Sequence, residues 1–397
     1  MKRKIIIVLV VLLVFLTGCW NRRELNTLAI AVGMGIDKVD GQYVVSFQVV
    51  NPGEVASKAG GGEGATAVMF KEKGDTIFEA LRKVTTISPR KIYVAHLRMV
   101  VIGEEAAKEG IGEILDFLSR DHELRTDFYL AVASDTKAEN VLKILLPLEK
   151  IPSNKLFTAL EVSEKVWAPT VSVTLDEFIA NLIGEGINPA LTGVKVIGSQ
   201  EAGEKRTNMQ EIDPEAQLQY EDIAVFKKDQ LVGWLNEDES KGYTNIVDKL
   251  DSTVIQVPCS EGGKVGIEIM RATSKIKGRV KNGEAKVEVN IEAIGSVGDV
   301  ECKSLDLMKS NTLKQLEKKT EKVMKEHSEA AIKKAKELET DIFGFGQAIY
   351  REDPAYWKKV KKNWNEVFVD IPAEVNIKVK IEGIGTVGNS VLREMKE

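Results

Sequence analysis

Lys281-Asn282-Gly283-Glu284 is the strongest turn sequence of the chain, and strand-like segments flank it on both sides. Asn-Gly favours a two-residue β-hairpin turn, because both central residues must take positive φ angles. Residues 265–276 form the predicted strand before the turn. The strand after it has one apolar face, which consists of Val287, Val289, Ile291 and Ala293. The segment therefore predicts a long β-hairpin in the C-terminal part of the protein.

The sequence after this hairpin predicts helices and one more strand. Residues 305–338 repeat apolar side chains at helical spacing, and Lys and Glu occupy the other faces. Residues 357–368 follow Pro354 and form a second amphipathic helix, and residues 375–381 alternate as a final strand. We therefore expect a long helix packed on a sheet near the C-terminus.

The N-terminal half alternates strands and helices. Residues 28–37 place bulky side chains on one face of a strand and Ala or Gly on the other, and residues 43–50 pair with them as a hairpin. Further along, we predict a strand at residues 92–102 and a helix at residues 104–119. Such alternation is typical of a mixed α/β domain.

The middle of the chain has a weaker pattern. Residues 198–216 are polar and predict a connecting loop, and residues 223–226 and 231–235 predict a hairpin around a four-residue connection. The predicted class is α+β, with about three mixed subdomains that contain β-hairpins. The predicted division is a signal peptide at residues 1–18, an N-terminal α/β domain at 19–197, a small middle domain at 198–263 and a C-terminal α+β domain at 264–397.

Composition limits the possible functions. The chain has 397 residues, 43% hydrophobic residues and a formal net charge of −5 with both signs interspersed. These values fit a folded globular protein, and they argue against nucleic-acid binding, which requires a basic stripe. Besides Cys19, the chain has Cys259 and Cys302. These two cysteines either form a disulfide or remain half-buried thiols, because their spacing decides little.

The N-terminus carries an export signal. Lys2-Arg3-Lys4 precedes an apolar run from Ile5 to Leu16, which is shorter than the about 20 residues of a membrane span. Leu16-Thr17-Gly18-Cys19 then looks like a bacterial lipobox, in which Cys19 receives a diacylglyceryl group and becomes the first residue. The alternative is an ordinary signal peptide with a chance cysteine. Two acyl chains anchor a protein stably, so we expect a membrane-tethered body.

Trp20 follows the predicted lipidation site directly and has two interpretations. Its indole could lie in the membrane interface beside the acyl chains, where tryptophan is favoured. It could instead pack on the folded body and set the distance between that body and the membrane. Separately from these two interpretations, we predict Trp20 as a possible partner-contact residue.

Signatures of catalysis are lacking. His96, His122 and His327 are the histidines of the chain, and none lies at i, i+4 from another, so no zinc-binding helix is predicted. The sequence has no Gly-x-Ser-x-Gly motif, so the common signature of serine hydrolases is absent. We therefore predict no catalytic residue, metal site or cofactor.

The segment Asp341-Ile342-Phe343-Gly344-Phe345-Gly346 has two interpretations. Phe343 and Phe345 could be exposed and contact a partner or ligand. Alternatively, the segment could be a helix end whose glycines permit special backbone geometry and whose aromatic side chains pack in the core. The second interpretation is favoured.

Taken in order, several motifs of the chain resemble the Ger(x)C lipoproteins of endospore-forming bacteria, the C subunits of nutrient germinant receptors. The resemblance covers nearly the whole mature chain. The motifs are Cys19-Trp20 with Glu24-Leu25, residues 95–98 and 101–105, residues 116–121, residues 226–235, and residues 341–346 with Pro354 and residues 357–364.

The resemblance implies a lipoprotein on the outer surface of the spore's inner membrane. It implies a complex with the A and B receptor subunits, three mixed subdomains and no known enzymatic activity. We therefore expect an anchored scaffold or coupling subunit. Two alternatives remain open: a lipid-anchored nutrient-binding protein, which would need a pocket between domains, and an envelope hydrolase, which would need a nucleophile beside a base.

Overall fold

The structure, a computed structural model, describes residues 3, 27–56, 64–303, 305–385 and 388. The predicted lipobox and Trp20 lie outside these residues. In the described part of the chain, no helix is long and apolar enough to cross a membrane.

The first sheet contains the N-terminal strands. Its centre is parallel, from β1 through β5 and β6 to β7, and both of its edges are antiparallel. The strands are β1 (Leu28–Val39), β2 (Gln42–Val50), β3 (Ala67–Gly74), β4 (Lys91–Tyr93), β5 (Met99–Gly103), β6 (Tyr129–Ala133), β7 (Ala190–Gly198), β8 (Ala216–Lys227) and β9 (Gln230–Leu235). The strand order is β3-β2-β1-β5-β6-β7-β8-β9, and β4 pairs with β1 outside this path.

Helices cover both faces of the first sheet. The helices are α1 (Pro52–Ala56), α2 (Ile77–Lys83), α3 (Glu104–Glu109), α4 (Gly112–Arg120), α5 (Ala138–Lys143), α6 (Pro152–Val166), α7 (Leu175–Ile183) and α8 (Gln200–Gly203). α2, α3, α4 and α7 share one apolar core with the sheet, and α5 and α6 share another on the opposite face. The face of β1 that carries Ala and Gly lets α6 pack closely on the sheet, because a Cβ at Gly33 would clash with Ser153 of α6.

The second sheet is built on the predicted long hairpin. Its order is β10-β11-β12-β13, antiparallel except for the parallel pair β12–β13. The strands are β10 (Thr253–Pro258), β11 (Lys264–Lys281), β12 (Glu284–Val300) and β13 (Ala373–Gly383). Asn282 and Gly283 have φ angles of 53° and 81°, so the predicted turn is confirmed.

The long helix α10 (Ser310–Glu337) packs against β10 and the edge strand β13, which confirms the predicted helix on a sheet. Glu321 and Glu317 of α10 accept hydrogen bonds from the edge N–H groups of Val379 and Ile381, at 3.2 and 3.0 Å. These contacts satisfy backbone donors that an open sheet edge would leave free. The remaining helices are α9 (Glu237–Ile246), α11 (Phe345–Glu352), α12 (Pro354–Val360) and α13 (Trp364–Asp370).

The predicted class of mixed α and β structure is confirmed, but three predicted elements are interrupted. The predicted helix at residues 357–368 is α12 and α13, which a 3₁₀ turn at residues 361–363 separates. The predicted strand at residues 92–102 is the separate strands β4 and β5. The predicted helix at residues 104–119 is α3 and α4, which break at Gly110, whose φ of 124° cannot continue a helix.

The hairpin assigned to the middle domain, β8–β9, continues the first sheet through β7. The sheet therefore crosses the predicted boundary after residue 197, and the division into three domains stays a prediction. Residues 27–235 are called the first lobe below, and residues 236–385 the second lobe.

A disulfide joins Cys259 to Cys302, with a Cα–Cα distance of 6.0 Å. It connects the loop between β10 and β11 to the segment after β12. Of the two possibilities that the sequence left open, the structure has the disulfide.

Candidate functional site at the lobe junction

The two lobes meet where the loop after α7 contacts the segment before α11. Glu185 accepts a hydrogen bond from Trp357 Nε1 at 2.9 Å and forms an ion pair with Lys361 at 2.6 Å. The backbone N–H of Asn188 donates to the carbonyl of Asp341 at 2.7 Å. Side-chain and backbone contacts between the lobes thus coincide here, and we call this place the lobe junction.

Asp341 organises the second-lobe side of the junction. Its Oδ1 accepts hydrogen bonds from the backbone N–H groups of Phe343, Gly344 and Phe345 at 3.0–3.1 Å. Its Oδ2 accepts from Gly346 N at 2.8 Å and from Trp364 Nε1 at 3.0 Å. The carboxylate therefore satisfies the free donors at the start of α11 and fixes an indole of α13 against them.

The Asp341 side chain is fully buried, and burial has an electrostatic consequence. Desolvation raises the pKa of Asp341 to about 6, although the N–H donors of Gly346 and Phe345 and the Trp364 indole act in the opposite direction. At neutral pH the group is therefore mostly ionised and accepts five hydrogen bonds.

Two glycines permit close backbone contact at the junction. A Cβ at Gly186 would lie 2.6 Å from the carbonyl carbon of Gly346, and a Cβ at Gly346 would lie 2.5 Å from Gly186 Cα. Gly186 also has a φ of +75°, which side chains disfavour. Only glycine at both positions lets the two lobes approach this closely.

Phe343 and Phe345 are core residues, so the interpretation in which both rings are exposed is wrong. Their side chains are 4% and 1% exposed. Their rings stack on each other at 5.1 Å, and Tyr243 and Phe368 lie beside them at 6.0 Å. Asp341 turns the chain so that both rings point inward, which agrees with the favoured alternative of a helix end packed in the core.

A cleft of about 530 Å³ lies beside the junction, between α7 and the following loop of the first lobe and α9 and β11 of the second lobe. Its walls are mostly apolar, and Tyr243 and Phe343 contribute aromatic surface. Charged side chains from both lobes line it as well: Glu177, Asp248, Lys249 and Arg351.

A larger groove, of about 750 Å³, lies in the first lobe between α2 and α4. Phe78 is 49% exposed there, with Phe117 at 6.4 Å and the Arg82 guanidinium over its ring at 4.6 Å. Tyr43 donates a hydrogen bond to Glu113 at 2.6 Å in the same groove. Within the described residues, no group of three or more His, Cys, Asp or Glu side chains could hold a metal ion.

Comparison with known proteins shows the family. The model of the spore germination protein N-terminal domain matches residues 21–196, and that of the spore germination B3/GerAC-like C-terminal domain matches residues 221–385. The chain is 34% identical to spore germination protein KC of Bacillus subtilis, over the full length of both proteins. It belongs to the GerAC-like family of spore germination proteins.

Other similar proteins are more distant from this chain. Spore germination protein B3 of Bacillus subtilis is 25% identical, over 95% of this chain and 96% of that protein. The crystal structure of the GerBC protein has the same fold, with a TM-score of 0.53 and 21% identity, over 88% of this chain and 97% of that one. The resemblance inferred from the motifs is therefore confirmed at the level of family and fold.

Sequence reasoning missed most of the junction. Asp341 carried a partial signal, because aspartate is common just before helices, although the N-cap residue of α11 is Gly344 and Asp341 lies three positions before it. Glu185, Gly186 and Asn188 carried none, since Gly184-Glu185-Gly186 indicates only the end of α7. Their partners lie more than 150 positions further along the chain.

Proposed function

We propose that the chain is a non-enzymatic, lipid-anchored subunit of a spore nutrient germinant receptor, in which it acts as a scaffold or coupling component. One observation carries the proposal: both family models match in the expected order and together extend from residue 21 to residue 385. The proposed partners are A-type and B-type receptor subunits.

The proposed location is the outer surface of the spore's inner membrane, with lipid on Cys19 as the anchor. The Leu-Thr-Gly-Cys sequence at residues 16–19 supports the lipid. The Cys259–Cys302 disulfide supports a position outside the reducing cytosol, because disulfides persist in oxidising compartments.

A pull-down tests the partners. Tagged full-length protein is isolated from detergent-solubilised spore membranes, and the co-purifying proteins are identified by mass spectrometry. Recovery of A-type and B-type subunits is the expected result. Recovery of this protein alone, in a detergent that keeps other membrane complexes intact, would contradict the receptor role and favour a free-standing protein.

The anchor is tested separately with Cys19→Ala. We expect the variant to take up no labelled palmitate, to keep its signal peptide, and to support less germination through this receptor. Normal germination by an unlipidated variant would show that the tether is dispensable.

Trp20→Ala then distinguishes the two proposed roles of Trp20. Loss of membrane retention with intact assembly would favour the interfacial position of the indole. Loss of assembly with normal retention would favour packing on the folded body.

A further inference from the structure

The cleft between the lobes has the size and surface of a small-molecule site. Its volume of about 530 Å³ falls within the range of about 300–1,000 Å³ that is common for ligand pockets, which often lie at domain interfaces. Apolar side chains from both lobes form its walls: Val171, Ile187, Ile246, Ile276, Ile342 and Phe343. A ligand with an apolar body would bury its surface against them.

Tyr243 places an unsatisfied donor in this cleft. Its side chain is 8% exposed, and its ring lies 6.0 Å from that of Phe343. Among the described residues, no group forms a hydrogen bond with its hydroxyl. The hydroxyl is therefore available to donate a hydrogen bond to a ligand acceptor in the cleft. Burial, and next the negative charge of Glu177, raise the pKa of Tyr243 above its ordinary value of 10.0, so the hydroxyl is protonated at neutral pH.

Some charged side chains of the cleft already form hydrogen bonds or ion pairs within the protein, and others do not. Glu177 caps α7 through Thr174 and lies 3.9 Å from Lys249. Asp248 accepts a hydrogen bond from Ser274 N at 2.6 Å. Arg351 is different: in the described part of the chain, its guanidinium has neither an ion pair nor a hydrogen bond.

We propose that this cleft binds a small carboxylate with an apolar body, whose carboxylate pairs with Arg351 and accepts a hydrogen bond from the Tyr243 hydroxyl. Arginine is the side chain best suited to a carboxylate, because its N–H groups match the two oxygens. The apolar body lies against the wall shared by the two lobes. Such a ligand contacts both lobes at once and stabilises their arrangement.

This site goes beyond the proposed receptor role. A receptor subunit without a ligand would still co-purify with its partners, and a free-standing protein with this cleft would still bind the carboxylate. The pull-down and the binding experiment can therefore fail independently.

Calorimetric titration of the purified full chain in detergent tests the site. The probe is 3-phenylpropanoate, and 3-phenylpropan-1-ol serves as the matched compound, since it keeps the apolar body and lacks the carboxylate. We expect saturable one-to-one binding of the acid, and binding of the alcohol that is at least about tenfold weaker, because a charged hydrogen bond is lost.

Variants locate the binding. Arg351→Gln should weaken binding of the acid about tenfold or more, and Tyr243→Phe about fivefold. Arg125→Gln and Tyr350→Phe are matched controls outside the cleft and should bind as the wild type does. Phe78→Ala alters the groove between α2 and α4 and should also leave binding unchanged.

Three results would overturn the proposal. The first is no binding of the acid at concentrations up to about 10 mM. The second is equal binding of acid and alcohol. The third is binding that Phe78→Ala abolishes while Tyr243→Phe and Arg351→Gln retain it. Circular dichroism of each variant ensures that a loss is not caused by unfolding.

Discussion

Glu185 accepts a hydrogen bond from the indole of Trp357 at 2.9 Å, across 172 positions of sequence. The next residue, Gly186, is in backbone contact with Gly346, and a Cβ at Gly346 would lie 2.8 Å from the rings of both Trp357 and Trp364. The polar contact and the glycine contact thus occur at the same point. A side chain added at either glycine should therefore push the lobes apart.

Gly186→Ala should destabilise the protein more than Gly41→Ala does. Both glycines have similar positive φ angles, +75° and +78°, so the backbone strain of alanine is similar, about 1–2 kcal/mol. A Cβ at Gly41 meets nothing within 4 Å, whereas one at Gly186 lies 2.6 Å from Gly346. The clash should cost about 1–3 kcal/mol more. Urea unfolding measures both variants, and equal losses would show that the contact is unimportant.

Asp341→Asn should lower the free energy of unfolding by about 3 kcal/mol at pH 7, because an amide cannot accept hydrogen bonds on both of its terminal atoms. Asp341 uses both oxygens, and the asparagine N–H₂ would face backbone or indole donors. Asp353→Asn is the matched control: one oxygen of Asp353 accepts both Ala355 N and Tyr356 N, so asparagine keeps both bonds. We expect the control to lose less than about 1 kcal/mol. Similar losses for the two variants would contradict this account.

Local signals in the sequence were enough to predict the type of most elements, but they were not enough to predict every break in them or the junction. Asn282-Gly283 predicted its hairpin because the turn requires positive φ at both residues, which is a local constraint. The helical repeat of residues 305–338 predicted α10 in the same way. Gly110 shows the limit of such reasoning: the apolar spacing continued through it, yet its φ angle divided the helix.

The burial of Phe343 and Phe345 could not be decided from their identity, since exposed aromatic residues can also contact partners. The structure decides it through Asp341, whose five hydrogen bonds turn the segment inward. The contacts of Glu185 and the cleft around Tyr243 form only when the lobes meet. No sequence pattern within either segment indicates that the two segments come into contact.

The stability of the protein should depend on pH through Asp341. The pKa of Asp341 is about 6 in the folded state, above the ordinary value of 3.8, because of burial. Between these values the folded state binds more protons than the unfolded state, so this contribution to stability decreases as pH rises from about 4 to about 6. Over that window the change is about 3 kcal/mol.

Urea unfolding of wild type and Asp341→Asn between pH 4 and pH 7 isolates this contribution, since other carboxylates titrate alike in both proteins. The stability advantage of the wild type should grow as pH falls. Parallel curves for the two proteins would show that Asp341 titrates at its ordinary pKa.

The Cys259–Cys302 disulfide should stabilise the second lobe. It closes a loop with a sequence separation of 43, and the chain-entropy model assigns about 4 kcal/mol to a loop of this length. The loop contains the hairpin β11–β12, on which the second sheet is built, so reduction loosens the strands that α9 and α11 contact. We expect the reductant TCEP to lower the melting temperature of the wild type.

The variant Cys259→Ser/Cys302→Ser is the control that separates loss of the disulfide from other effects of the reductant. It should melt at the lower temperature with or without TCEP, because neither serine can form the bond. An unchanged wild-type melting temperature, measured when thiol titration shows complete reduction, would mean that strand pairing and the α10 contacts alone hold this lobe. The disulfide would then indicate only that the protein folded in an oxidising compartment, and it would not stabilise the second lobe.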